Sequence, residues 1–313
     1  GRPGQHLVQP RQFFRCGRAC EADRFGQQQA DQRAMVQVER IQRNRQRMRN
    51  AQALSGGSPS TVEGKETFIS KLDGAEDYYV YTPPAVKGPQ SDSILFVYFH
   101  GMGSTAIEPY LVPKDRTLAK LVCQQNPRAS FLSPNYRGDS SWLNETAILD
   151  VDQNIRSVTN RYPAAKIVLI GTSMGGCSAL AYSYLAPNEI KSKIVGVVSC
   201  ESAGDLTQLY KITNSNLVKA GMARAYGGTP DTVGKAYEKT SILNNISQLN
   251  PKVKYAILSA SKDGVVPPKM QTQLIDGLQK AGIKCKLVDF DEKHGVPESV
   301  NYEQGINFVL EAN

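Results

Sequence analysis

Histidine is scarce in this chain: 313 residues hold three, His6, His100 and His294. Any chemistry that needs an imidazole base therefore has few places to find one. Tryptophan is scarcer still, with Trp142 alone. No run is long and apolar enough to span a bilayer, and no signal-peptide core is visible. A cytoplasmic protein without membrane contact is therefore expected. Of the six cysteines, Cys123, Cys177, Cys200 and Cys285 stand singly in apolar surroundings, as small core residues do. Cys16 and Cys20 form one CxxxC pair beside a single histidine, His6, and no second pair exists to complete a zinc site. No metal and no organic cofactor are expected, and the cysteine usage suits a reducing compartment.

Lysine is also missing from the whole first stretch; the first is Lys65. Residues 1–50 carry 11 Arg and 4 acidic residues, a net +7, whereas the rest of the chain is close to neutral at +1. The overall charge of +8 thus belongs to an arm rich in Arg and Gln, and says little about what the remainder binds. The spacing of Ala34, Val38, Ile41 and Met48 gives the arm a weak helical stripe, interrupted by Arg45. SGGSPS at 55–60 reads as a linker. Two domains follow: an arm over 1–60, loosely docked or non-native, and a catalytic domain over 61–313. No nucleic-acid partner is expected for the catalytic domain.

Beyond residue 64 the pattern is regular. ETFISKL and EDYYVYTPP read as a leading hairpin, and SILFVYFH (93–100) as a buried strand. One helix is expected near 110–125, a strand at 129–136, and a helix over 144–162 with its stripe at Ile148, Val151, Ile155 and Val158. Strands follow at 166–171, 193–200 and 254–260, then a helix, the strand KCKLVDF and a closing helix. Alternating strands and helices predict an α/β fold, a mostly parallel sheet with helices on both faces. The stretch 202–249 is too long for a simple crossover and predicts a small helical cap.

Gly171-Thr172-Ser173-Met174-Gly175 fits G-x-S-x-G between a strand and a helix, the setting of a nucleophile elbow. The glycines let backbone pass a sharp bend without Cβ clashes. Among the histidines only His294, in FDEKHGVPES after the last strand, is both late in the chain and at a strand's carboxyl end. Asp263 in SASKDGVVPP directly follows the strand 254–260 and is the expected acid; Glu201, just after Cys200, is the alternative. Asp291 is too near His294 in the same loop to orient it. FHGMGST (99–105) follows the first long strand, where an oxyanion donor is needed. The N–H groups of Met174 and Met102 are the expected pair, with Gly103 the alternative to Met102 and His100 a brace for the loop.

HGMGS, GTSMGG, KDGVVP and KHG, in this order, resemble the α/β-hydrolase superfamily. Together with SPNYRGDSSW (133–142) they are similar to its prolyl-oligopeptidase-like and feruloyl-esterase-like group. The resemblance covers roughly 64–313. It implies an α/β-hydrolase fold, a Ser173–Asp263–His294 triad and an acyl-enzyme. HGMG departs from the HGGG of lipase-type relatives, and the arm is too short for a β-propeller. The expectation is therefore a serine carboxylesterase acting on a small-molecule ester of short-chain or aryl type. A serine peptidase or amidase is the alternative within the group. A non-catalytic binding protein, or nucleic-acid contact through the basic arm, is the alternative from another class. Tyr136, Trp142 and Tyr210 are the expected substrate-binding residues, with Leu209, Met222 and Tyr226 of the cap beside them. Oligomeric state is left open.

Overall fold

The computed structural model describes Gly1, residues 63–86 and residues 88–311. The chain divides into two units, Gly1–Ser60 and Thr61–Asn313, and the account below concerns the second. The arm's Cys16–Cys20 pair, its helical stripe and the linker at 55–60 lie outside the described residues.

Eight strands form one sheet: β1 (Lys65–Ile69), β2 (Glu76–Thr82), β3 (Ile94–Phe99), β4 (Ala129–Pro134), β5 (Lys166–Thr172), β6 (Ile194–Cys200), β7 (Lys254–Ala260) and β8 (Cys285–Phe290). Their spatial order is β1-β2-β4-β3-β5-β6-β7-β8. β1 and β2 form the leading hairpin and β2 pairs antiparallel with β4; every later pairing is parallel. The central strands read as apolar runs because both faces are covered. In β3, Leu95, Val97 and Phe99 enter one core while Phe96 and Tyr98 enter the other. β5 divides in the same way, with Ile167 and Leu169 opposite Val168 and Ile170, as the period of two in a strand dictates.

The helices are α1 (Glu108–Leu111), α2 (Leu118–Gln125), α3 (Glu145–Arg161), α4 (Met174–Leu185), α5 (Asn188–Lys191), α6 (Leu206–Ile212), α7 (Asn216–Tyr226), α8 (Pro230–Thr240), α9 (Lys269–Lys280) and α10 (Ser299–Leu310). One helix was expected near 110–125, but the region is split. Val112 is extended and Pro113 follows it, so the first helix cannot run on. α3 is capped by Asn144, whose side chain accepts the Ala147 N–H. Its stripe residues Val151, Ile155 and Val158 join the first core, as do Met270, Leu274 and Leu278 of α9. Leu118, Leu121 and Val122 of α2 and Tyr302, Ile306 and Val309 of α10 line the second. Helices therefore cover both faces of the sheet. No helix among the described residues is long and apolar enough to cross a membrane.

Between β6 and β7 the chain leaves the sheet for α6, α7 and α8. Leu206, Leu209, Val218, Met222 and Tyr237 of these helices are continuous with the first core. Leu209 and Met222, expected beside the substrate, are wholly buried packing residues.

Candidate active site

Ser173 stands alone between the last residue of β5, Thr172, and the first of α4, Met174. Its φ of 56° and ψ of −118° lie where an L-residue is strained. The flanking glycines make the bend feasible. A Cβ on Gly171 would lie 2.1 Å from the Gly175 carbonyl oxygen, and one on Gly175 would lie 1.9 Å from that of Phe99. The Ser173 N–H donates to Cys200 O at 2.8 Å, fixing the elbow to the end of β6.

Three more strand ends bring the partners. The Ser173 Oγ–H donates to His294 Nε2 at 2.9 Å, from the loop after β8. His294 Nδ1–H donates to Asp263 Oδ2 at 2.7 Å, from the turn after β7. Asp263 Oδ1 accepts the N–H groups of Val265 and Val266 at 2.7 and 2.8 Å, so the Asp-Gly turn itself holds the carboxylate. Glu201, directly after β6, places its Oε2 3.1 Å from the same Nδ1. Glu201 and Asp263 are thus both against His294, where one acid was expected. Asp291 faces away and pairs with Lys262 and Ser261.

Burial pulls the His294 imidazole down, but the hydrogen bond to Asp263 and the charges of Glu201 and Asp263 carry it above the ordinary 6.5. Burial pushes Glu201 up to about 8, against the pull of His294 and the Gly295 N–H, with Asp263 and Glu292 adding to the rise. Ligand atoms of Glu201, Asp263 and His294 lie within 4.8 Å of one another, near enough to bracket a cation. The 2.7 Å contact between Nδ1 and Oδ2 is an ordinary hydrogen bond.

The loop expected to hold the oxyanion follows β3. Gly103 N–H donates to Asp139 O at 2.7 Å, and Gly101 N–H to Glu108 Oε2 at 2.7 Å. Met102 and Met174 make no backbone N–H hydrogen bond among the described residues, so theirs are the free donors. Between Met102 and Gly103 this geometry favours Met102. His100 is buried between the carbonyls of Gly101 and Asn135, 2.9 and 3.2 Å from its ring nitrogens. Its ring braces the loop, and burial keeps it below its ordinary range.

Glu108 had no sequence signal; only folding brings α1 beneath the loop. Its carboxyl also accepts the Tyr98 hydroxyl at 3.1 Å, and Tyr98 continues through Thr172 Oγ1 to the Tyr302 hydroxyl. A buried chain of polar contacts therefore links the oxyanion loop to the residue preceding Ser173. Burial raises Glu108 to about 7, against the hydrogen bonds from Gly101, Tyr98 and Ser104.

The expected substrate-binding residues need correction. Tyr136 is 0% exposed, its ring against Phe99 and His100 and its hydroxyl donating to His100 O. It rests against the loop that follows β3. Trp142 is 2% exposed and packs in the first core, its carbonyl accepting the Tyr226 hydroxyl. Both residues have positive φ, and both side chains lie in the interior. Tyr210 keeps partial exposure and packs edge-on against Tyr237 within the cap helices.

Residues 156–311 match the prolyl oligopeptidase family. No curated protein matches the chain. Among solved structures, an acylaminoacyl peptidase from Pyrococcus horikoshii is similar at 15% identity and a TM-score of 0.59, covering 78% of this chain and 40% of its own. A puromycin hydrolase is similar at 17% identity and a TM-score of 0.60, covering 80% of this chain and 39% of its own. A ferulic acid esterase is similar at 14% identity and a TM-score of 0.55, covering 78% of this chain and 96% of its own. The chain thus spans about two fifths of the two hydrolases first named, and these likenesses speak to the fold. The chain has an α/β-hydrolase fold, and its residues 156–311, just under half of its length, are similar to the prolyl oligopeptidase family.

Proposed function

We propose that the protein is a carboxylic ester hydrolase acting on short-chain or aryl esters through an acyl-enzyme on Ser173. The observation that carries this reading is the continuous relay from Ser173 Oγ through His294 to Asp263, with links of 2.9 and 2.7 Å. His294 Nε2 takes the Ser173 proton as Oγ bonds to the ester carbonyl carbon. The electron pair moves to the carbonyl oxygen, where the N–H groups of Met102 and Met174 receive it. One such donor is worth about 2.7–4 kcal/mol in the transition state. The intermediate collapses, the C–O bond to the alcohol breaks, and Nε2 returns the proton to the leaving oxygen. Water then repeats the sequence and frees the acid. Asp263 keeps the proton on Nδ1, so that Nε2 is the basic nitrogen.

Ester specificity is supported by the extent of likeness to the ferulic acid esterase, matched over 96% of its own length. A cap of only three helices, α6 to α8, suits a compact acyl or aryl group. The catalytic unit is taken as residues 61–313, with the arm at 1–60 playing no part in the chemistry. The family match favours a second reading, a peptidase or amidase using the same relay. Parallel assays on the full chain separate them. Nitrophenyl esters from acetyl to decanoyl, methyl hydroxycinnamates and aminoacyl nitroanilides would be compared by kcat/KM. Fastest cleavage of acetyl to hexanoyl or aryl esters is expected; faster cleavage of the anilides would give the site to the peptidase reading.

A further inference from the structure

We propose that Glu201 is a second positioning acid for His294, acting together with Asp263 on the same ring nitrogen; this rests on the serine-hydrolase reading above. Four observations carry it. Both carboxyls reach Nδ1, at 2.7 Å from Asp263 and 3.1 Å from Glu201, and both side chains are 1% exposed. They arrive from different strand ends and are held by different backbone. Asp263 is fixed by its own turn, whereas Glu201 Oε2 accepts the N–H of Gly295 at 2.7 Å, the residue after the histidine. Glu201 therefore holds both the ring and the loop that carries it. Its φ of +50° is a strained value for a residue with a side chain, and its N–H is tied to Leu258 O at 2.8 Å. The fold maintains that strain at the position that aims a carboxyl at the histidine.

Two ionised carboxyls in so dry a site repel each other. The groups facing Glu201 are His294, Asp263, Glu292 and Cys200. Burial and the neighbouring acids raise the Glu201 carboxyl and so favour its protonated form. Oε1 is a buried oxygen without a partner among the described residues. Oε2 accepts from the Gly295 N–H and lies 3.1 Å from Nδ1. Replacing Asp263 with Asn removes the neighbouring negative charge, and Glu201 then ionises more readily. Its Oε2, 3.1 Å from Nδ1, then takes over as acceptor of the Nδ1 proton and so preserves the tautomer in which Nε2 is basic. Tautomer loss is what makes the equivalent change costly in a triad with a single acid, about 10⁴-fold in kcat.

The test compares wild type, D263N, E201Q, the double variant and S173A as full chains, by kcat/KM on nitrophenyl acetate. The low-field proton resonance of the His294 Nδ1–H is followed in parallel. D263N should lose roughly 10²-fold and keep the resonance. E201Q should lose a few-fold in kcat with KM unchanged. The double variant should fall to about 10⁴-fold and lose the resonance. A D263N variant that by itself loses 10⁴-fold and the resonance overturns the proposal, and this holds even if the E201Q chains do not fold. So does a double variant no worse than D263N. Full turnover by S173A would instead overturn the serine-hydrolase reading.

Discussion

Adding one methyl at the elbow tests how tightly the nucleophile and the oxyanion loop are built against each other. In Gly175→Ala the new Cβ would lie 1.9 Å from Phe99 O, 2.5 Å from Phe99 C and 2.7 Å from His100 O. Non-bonded carbon sits about 3.5 Å from its neighbours, so roughly 1.5 Å must open between α4 and the end of β3. All three obstacles are main chain, and no side chain can swing aside. Overpacking of this kind costs about 3 kcal/mol or more. At about 2–4 °C per kcal/mol for a domain of this size, Tm should fall by roughly 6–12 °C. The same movement separates Met174, at the start of α4, from Met102, just beyond β3. A misplacement on the order of 1 Å lowers turnover about 10²-fold, so kcat/KM should fall beyond what unfolding accounts for. Gly234→Ala is the control, because a Cβ there meets nothing within 4 Å. It should leave Tm within about 2 °C of wild type, or raise it, and leave activity unchanged. Thermal melts and nitrophenyl acetate kinetics suffice. A Gly175→Ala protein with wild-type Tm and wild-type kcat/KM would refute the reasoning.

Two further predictions follow from the ionisable groups. His294 must be neutral to accept the Ser173 proton and its affinity for protons is raised, so the acid limb of kcat/KM should lie above pH 6.5. A limb centred below 6.5 would contradict the placing of the acids. Glu108 is raised from 4.5 to about 7, so the folded state holds its proton across a range where the unfolded chain has lost it. Its contribution to stability therefore diminishes as pH rises from 4.5 to 7. Glu108→Gln lacks that loss, and its Tm relative to wild type should climb across the window and level off above it; parallel curves would count against a buried carboxyl.

Much of the fold was legible because parallel strands covered on both faces read as unbroken apolar runs. β3, with Leu95 to Phe99 all buried, is the plainest case. Ser173 and His294 could be named because G-x-S-x-G needs a particular bend and the chain has few histidines. The structure brings both together with Asp263. What sequence could not give depends on backbone direction and on distant pairing. Tyr136 and Trp142 read equally as pocket walls or as core in the sequence, and only the burial of their side chains tells the two apart. Gly103 and Met102 are neighbours, and only the Asp139 carbonyl across the loop occupies one N–H and leaves the other free. Glu201 and Asp263 read as alternatives because sequence order allows one acid at a time, while two adjacent strand ends bring both to one nitrogen. Glu108 gave no signal, since its partner Gly101 meets it only through the turn between β3 and α1.

The central claim is that Ser173 is the nucleophile, and a fluorophosphonate probe tests it most directly. Intact mass and peptide mapping of the full chain should show one adduct, on Ser173, formed quickly at pH 8 and slowly below pH 6. Ser173→Ala should take no label and lose roughly 10³-fold or more in kcat on nitrophenyl acetate. Label on another residue, or ester turnover retained by the alanine variant, would contradict the account.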